Sequence, residues 1–240
     1  MKKLLLIVLL LAIYRAAYVL LPFQHFLPSL FQLFATLLQL LAGTEIYLNI
    51  AASLLRILIG FILASVLGIT LGLLLAYYRG LTDLKFYIEL LRPIPPIAWI
   101  PVAIMLFGLG NVSASFIVFL GAFFPIFTNT YFGAISIPII FRNVSSSFEV
   151  GAMRYFSKIL FFHTLPYIFA GLKIGIGTAW MSVIAAELIA AQSGLGYFIQ
   201  LNRLLLRTDK VILGMMLIGI IGYFLQKIVE YLETKLIVWR

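Results

Sequence analysis

Long apolar runs separated by short polar breaks dominate this chain. The runs cover residues 4–21, 57–78, 86–107, 114–135, 165–189 and 211–231. About 20 apolar residues carry a helix across a bilayer. The pattern therefore predicts an all-α, polytopic membrane protein with about six transmembrane helices. Residues 22–43 break the rhythm. The sparse polar positions of Phe31-Gln32-Leu33-Phe34-Ala35-Thr36-Leu37-Leu38-Gln39-Leu40 read as an interfacial amphipathic helix, shortened by Pro22 and Pro28. Residues 45–56 read as a second surface piece leading into span 2. On this reading residues 1–44 form an N-terminal span plus interfacial segment, and residues 45–240 the core.

Two runs carry internal detail. In span 2, Gly60, Ala64, Gly68 and Gly72 recur every fourth residue and share one helix face. Small residues there let a second helix approach closely, which is how helices associate in lipid. Span 3 holds Leu91-Arg92-Pro93-Ile94-Pro95-Pro96-Ile97-Ala98-Trp99-Ile100-Pro101, with four prolines in nine residues. Each proline removes an N–H and clashes with the turn before it. A freed carbonyl in hydrocarbon is costly unless protein or cavity water satisfies it. This segment is expected among other helices or along an aqueous path. Gly108-Leu109-Gly110-Asn111 reads as a turn. Pro125 and Thr128-Asn129-Thr130 are expected to interrupt span 4, and residues 192–210 form a polar-to-mixed excursion.

Composition sharpens this picture. The 240 residues are 64% hydrophobic and 10% charged, where a soluble domain carries about 25% charged residues. The net charge of +9 is spread singly through short loops, which fits a multi-pass membrane protein and not a nucleic-acid binder. With an inside N-terminus, six spans place Lys2, Lys3, Arg79, Lys85, Arg142, Arg154, Lys158, Lys227, Lys235 and Arg240 on the inner side. Arg56, Arg203, Arg207 and Lys210 fall outside, a bias that favours two cytoplasmic termini. Met1-Lys2-Lys3 and the apolar run behind it look like a secretory signal, but no small-residue cleavage site follows closely. The segment reads as a retained first span. With no cysteine and only His25 and His163, the chain offers no disulfide, thiolate or metal centre, and no cofactor is expected.

Residues 136–163 form the longest polar stretch on the inner side. Ser146-Ser147-Phe148-Glu149 fits a capping box, with Ser146 as N-cap and Glu149 at the third helical position. Phe148, Ala152, Tyr155, Ile159 and Phe162 then repeat at helical spacing, and Pro166 is expected to end this amphipathic helix before span 5. Such a helix either docks a soluble partner or is a passive connector.

Several segments together resemble the permease subunits of ATP-binding-cassette importers, in particular the nitrate, sulfonate, taurine and bicarbonate subgroup. They are the proline-rich segment, Phe107-Gly108-Leu109-Gly110, Phe119-Leu120-Gly121-Ala122-Phe123-Phe124-Pro125, Leu165-Pro166-Tyr167-Ile168-Phe169-Ala170-Gly171-Leu172-Lys173-Ile174-Gly175, Ala185-Ala186-Glu187-Leu188-Ile189 and Ser193-Gly194-Leu195-Gly196-Tyr197. They occur in the family's order from about Ser53 onward. The resemblance implies a type I importer permease fold in the inner membrane. It implies a homodimer, a cytoplasmic ATPase pair and an extracytoplasmic substrate-binding protein. It also implies a docking motif beginning Glu-Ala-Ala and ending in a Leu-Pro pair, within residues 136–164. Either Glu149-Val150-Gly151 stands for Glu-Ala-Ala with Tyr155 at the glycine position, or Gly151-Ala152 supplies the glycine and Ser145 replaces the glutamate. Glu149, Val150, Gly151, Ala152 and Arg154 are the coupling candidates.

Pro95, Pro96, Trp99, Asn129, Thr130, Glu187, Ser193 and Gly194 are candidates for the translocation path or its gate. Asn129 and Thr130 either bond a neighbouring helix or line the path. Glu187 is either an intramembrane functional carboxylate or a solvated interfacial one. Lys173 lies about 21 Å from it along a helix and is expected to snorkel to the inner interface. Arg92 pairs with Glu89 or anchors at the interface, and His163 is interfacial. No glycine-rich phosphate loop with a following Lys and Ser or Thr exists, so ATP hydrolysis resides in another subunit and the chain is not an enzyme. An ion-coupled secondary transporter and a non-transporting membrane scaffold are the alternative readings. The few charges near span ends argue against the first.

Overall fold

The computed structural model describes residues 27–78 and 82–237. The expected span at residues 4–21 lies outside them. Helix α1, Leu30–Ala42, starts at a capping box: Gln32 N–H donates to Ser29 Oγ (3.2 Å) and Ser29 N–H to Gln32 Oε1 (2.8 Å). Thr36 ties this amphipathic helix to the rest by donating to Asp209 Oδ2 at 2.6 Å.

Helix α2 runs unbroken over Glu45–Tyr77. The surface piece expected at 45–56 is instead its opening stretch. Asn49, Ser53 and Arg56 continue the face of Gly60, Ala64, Gly68 and Gly72 at spacings of three and four, and all seven are buried. Protein groups satisfy their polarity, so no exit to water is needed.

The proline-rich span is broken. Helix α3 (Thr82–Leu91) and the piece at Pro96–Phe107, a 3₁₀ turn over Pro96–Trp99 followed by α4 (Ile100–Phe107), meet at 89°. Short-range bonds fill the corner: Arg92 N–H to Glu89 O, Ile94 N–H to Leu91 O and Ala98 N–H to Pro95 O. Gly108 and Gly110, with φ of 75° and 134°, make the turn into α5 (Asn111–Ile135).

Helix α5 is continuous through Pro125, contrary to the interruption expected there. Proline cannot donate to Gly121 O four residues back. Thr178 Oγ1, from another helix, donates to that carbonyl at 2.7 Å. The orphaned acceptor is thus satisfied by protein.

A short helix, α6 (Ile139–Ser147), precedes α7, which runs over Ala152–Ala190 with a π-helical turn at Tyr155–Leu160. Pro166 does not end a helix; it lies inside α7. A single lost N–H is tolerated where neighbouring helices surround the segment. The polar excursion contains a further helix, α8 (Leu195–Leu204), and α9 (Thr208–Leu236) closes the described fold.

Helix α5 sits between α2 and α7. Gly60 faces Ser115 and Val118, Gly68 faces Ile126, and Gly72 faces Thr130, so α2 and α5 run parallel. Gly121 meets Ser182 while Gly133 meets Tyr167, so α7 runs antiparallel to both. Helix α9 covers α7: Trp180 Nε1 donates to Ile218 O at 3.0 Å, and Lys173 pairs with Glu233 at 2.8 Å. Lys173 therefore has a carboxylate and does not simply snorkel. Among the described residues four helices are long and apolar enough to cross a membrane, or five with the bent pair.

Candidate functional site

At the end where α2 begins and α7 finishes, a polar knot is sealed from solvent. Arg56 is 2% exposed and Glu187 1%. Arg56 Nη1 donates to Glu187 Oε1 (2.7 Å) and to Ser193 O (2.6 Å), Nη2 to Ser193 Oγ (2.7 Å), and Nε to Asn111 Oδ1 (2.9 Å). The knot also holds the start of α8. Gly194 N–H donates to Asn49 Oδ1, Leu195 N–H to Ser53 Oγ and Gly196 N–H to Glu187 Oε2, at 2.8–2.9 Å. Ser53 Oγ in turn donates to the Glu187 carboxylate. A carboxylate at a helix N-terminus is well placed for the helix dipole. Gly194 has φ 109°, and a Cβ there would fall on the Glu187 carboxylate.

This geometry gives Glu187, Ser193 and Gly194 partners inside the fold. Glu187 is neither solvated nor facing a path in this state. Arg56, expected in an outer loop, is instead the hub joining α2, α5, α7 and the loop before α8. The missed signal was the register: Asn49, Ser53 and Arg56 already stand on the small-residue stripe.

Halfway along the spans, a cavity of about 320 Å³ opens between the proline corner and the α5–α7 seam. Arg92, Ile94, Pro95 and Pro96 form one wall; Gly121, Phe124, Pro125, Thr178 and Ser182 form much of the other. Pro95 and Pro96 thus line it, whereas Trp99, Asn129 and Thr130 do not. Trp99 packs beside Ile100, Ala103 and Ala186. Asn129 donates to Pro125 O at 2.8 Å, and Thr130 fills the space beside Gly72. Arg92 makes no ion pair among the described residues, with Glu89 or any other carboxylate; Glu89 pairs with Lys85 at 3.5 Å. His163 Nε2 lies 3.5 Å from Ser136 Oγ, and no cluster of potential metal ligands exists among the described residues.

At the opposite end from the knot, α6 and the turn behind it stand out from the bundle. The expected capping box is absent. Ser145, Ser146 and Ser147 donate their hydroxyls to Phe141 O, Arg142 O and Asn143 O, because the helix starts earlier, after Pro138. Glu149 ends that helix. Its N–H reaches Ser146 O, and Val150 N–H reaches Ser145 O, the double closure of a Schellman motif with Glu149 in the left-handed position (φ 51°). Phe148 is 79% exposed and Met153 78%. Glu149, Gly151, Ala152 and Arg154 are exposed and Val150 half-buried. Directly behind, Tyr155 and Phe156 pack on Tyr77 at the end of α2. The exposed turn is thus anchored to the three-helix core.

Comparison with known proteins places this architecture. Residues 68–237 match the family model for the binding-protein-dependent transport system inner membrane component. A putative ABC transporter permease protein of Methanocaldococcus jannaschii is 40% identical over 194 residues, covering 80% of this chain and 73% of that protein. The nitrate import permease protein NrtB of Synechocystis is 38% identical over 193 residues, covering 79% and 70%. The putative aliphatic sulfonates transport permease protein SsuC of Bacillus subtilis is 31% identical over 216 residues, covering 89% and 78%. With multi-pass helices and ATP hydrolysis left to a separate subunit, this chain belongs to the permease family of ATP-binding-cassette transporters, the inner membrane components of binding-protein-dependent transport.

Proposed function

We propose that two copies of this chain form the membrane path of an importer for a small oxyanion, of the nitrate or sulfonate kind. The resemblance to permeases of both kinds over 79–89% of the chain carries this reading. The knot would face outward, where a binding protein delivers solute. The α6–α7 turn would face the cytoplasm, where the ATPase docks. Arg142 on α6 and Arg154 and Lys158 at the start of α7 flank that turn, and Lys85 lies over Tyr131 and Phe132 near the end of α5, as cytoplasmic ends require. Phe148 and Met153 supply the exposed apolar surface that a docking partner covers. Glu149, Val150, Gly151, Ala152 and Arg154 form the rim of that contact. Both termini would be cytoplasmic. An ion-coupled transporter needs titratable groups free to bind its ion, and Glu187 is fully spent on Arg56, Ser53 and Gly196.

Three measurements test this reading. Vesicles carrying the chain with its ATPase and binding protein should accumulate labelled nitrate or ethanesulfonate only when ATP is present. Replacing residues 149–154 by Gly/Ser should abolish co-purification of the ATPase while the permease still melts cooperatively. The purified permease should have the mass of two copies. Accumulation without ATPase, or a monomer that transports, contradicts it.

A further inference from the structure

Arg92 is a cation at the wall of the cavity that none of the ion pairs of the described fold uses. Its neighbours across the cavity, Gly121, Phe124 and Pro125, lie at the middle of α5, so its guanidinium stands near mid-bilayer depth. Each cation in the ion pairs of the described fold, Arg56, Lys85, Lys173 and Lys227, has its own carboxylate; Arg92 is in none of them. An ionised side chain at that depth is costly unless it faces water or a counter-ion, and it marks a solute pathway by default. On the facing wall, Ser182 is 7% exposed and lines the cavity, and none of the hydrogen bonds of the described fold engages its hydroxyl. Gly121 leaves room for it: a Cβ there would sit 2.5 Å from Ser182 Oγ. The neighbouring Thr178 hydroxyl is already spent on Gly121 O. No acidic side chain lines the cavity.

We infer that this cavity is an anion-holding station on the path, with Arg92 supplying charge and Ser182 a hydroxyl donor. As to which anions pass, the inference rests on the oxyanion-importer reading above. The cavity chemistry stands without it: one cation, one free hydroxyl and otherwise apolar walls. A guanidinium suits an oxyanion because its planar fork donates two parallel bonds. The corner prolines keep the backbone of α3 and α4 from closing over the space.

The absence of cysteine makes a direct test possible. In the purified complex, Ser182→Cys supplies a single thiol in the cavity. An anionic methanethiosulfonate reagent bearing a sulfonate should modify it roughly tenfold faster than the trimethylammonium reagent, relative to a free thiol in solution, because one sign of charge in a low-dielectric cleft concentrates the opposite sign. That preference should fall to about parity in Ser182→Cys/Arg92→Gln. An unchanged ratio, or no reaction with either reagent with or without ATP, overturns the assignment. In vesicles with the complete importer, Arg92→Gln should lower nitrate or ethanesulfonate uptake more than about tenfold, and Arg92→Lys should keep uptake within about threefold of wild type. ATPase co-purification should be unchanged in both. Wild-type uptake unaffected by Arg92→Gln overturns the inference. No anion uptake by the wild type, with the labelling preference intact, overturns the oxyanion-importer reading and leaves the cavity assignment standing.

Discussion

Removing one side of the Arg56–Glu187 pair strands a bare charge where no water reaches. Breaking a buried pair in this way costs about 3–5 kcal/mol. Arg56→Met or Glu187→Leu alone should therefore lower the melting temperature of the detergent-solubilised permease strongly. The double variant should recover much of the loss, because apolar residues of similar volume remove both desolvation costs together. Additive losses would show that the pair is not the unit of stability. The Thr178–Gly121 bond offers a second cycle. Thr178→Val should cost about 1–3 kcal/mol by leaving the Gly121 carbonyl unmet. With Pro125→Ala in place the backbone regains its own donor, and the same substitution should cost clearly less. In the sequence Pro125 was legible only as an expected interruption of span 4. The donor that lets the helix continue, Thr178, lies 57 positions from Gly121 on another helix and was out of reach of local pattern.

Among elements, the turn after α6 separates local reading from tertiary outcome. Ser146-Ser147-Phe148-Glu149 has the letters of a helix start and serves as a helix end. The letters permit both, and the start after Pro138 decides. Glu149 holds a left-handed conformation that costs a non-glycine residue roughly 1–2 kcal/mol. Glu149→Gly should thus raise thermal stability slightly, and Glu149→Val should lower it. If ATPase stimulation falls in Glu149→Gly despite equal or better stability, the carboxylate itself belongs to the docking contact. The α2–α5 seam allows a sharper contrast. Gly60→Leu meets Val118, whose side chain lies 2.6 Å from a Cβ built there, whereas a Cβ built at Gly219 meets no neighbouring group within 4 Å. Gly60→Leu should disrupt the bundle, measured by loss of a monodisperse chromatographic peak, and Gly219→Leu should leave that peak intact. The period of four in span 2 predicted this seam. Its continuation through Asn49, Ser53 and Arg56 was equally legible, but their polarity argued for water and hid the register.

For the whole molecule, hydropathy disclosed the spans because lipid demands them of each segment separately. It could not disclose the knot, whose Ser53–Glu187 bond joins residues 134 apart, nor the cavity, which exists only once α5, α7 and the proline corner are assembled. Pro166 suggested a break between the amphipathic inner helix and span 5. The fold joins them: α7 is helical from Ala152 to Ala190, about 58 Å for its 39 residues at helical rise, with Glu187 near its far end. On the orientation proposed above, a push delivered by an ATPase beside Phe148 would enter the same helix that carries Glu187 near its far end. The push and the latch that holds the start of α8 would then be two ends of one continuous element.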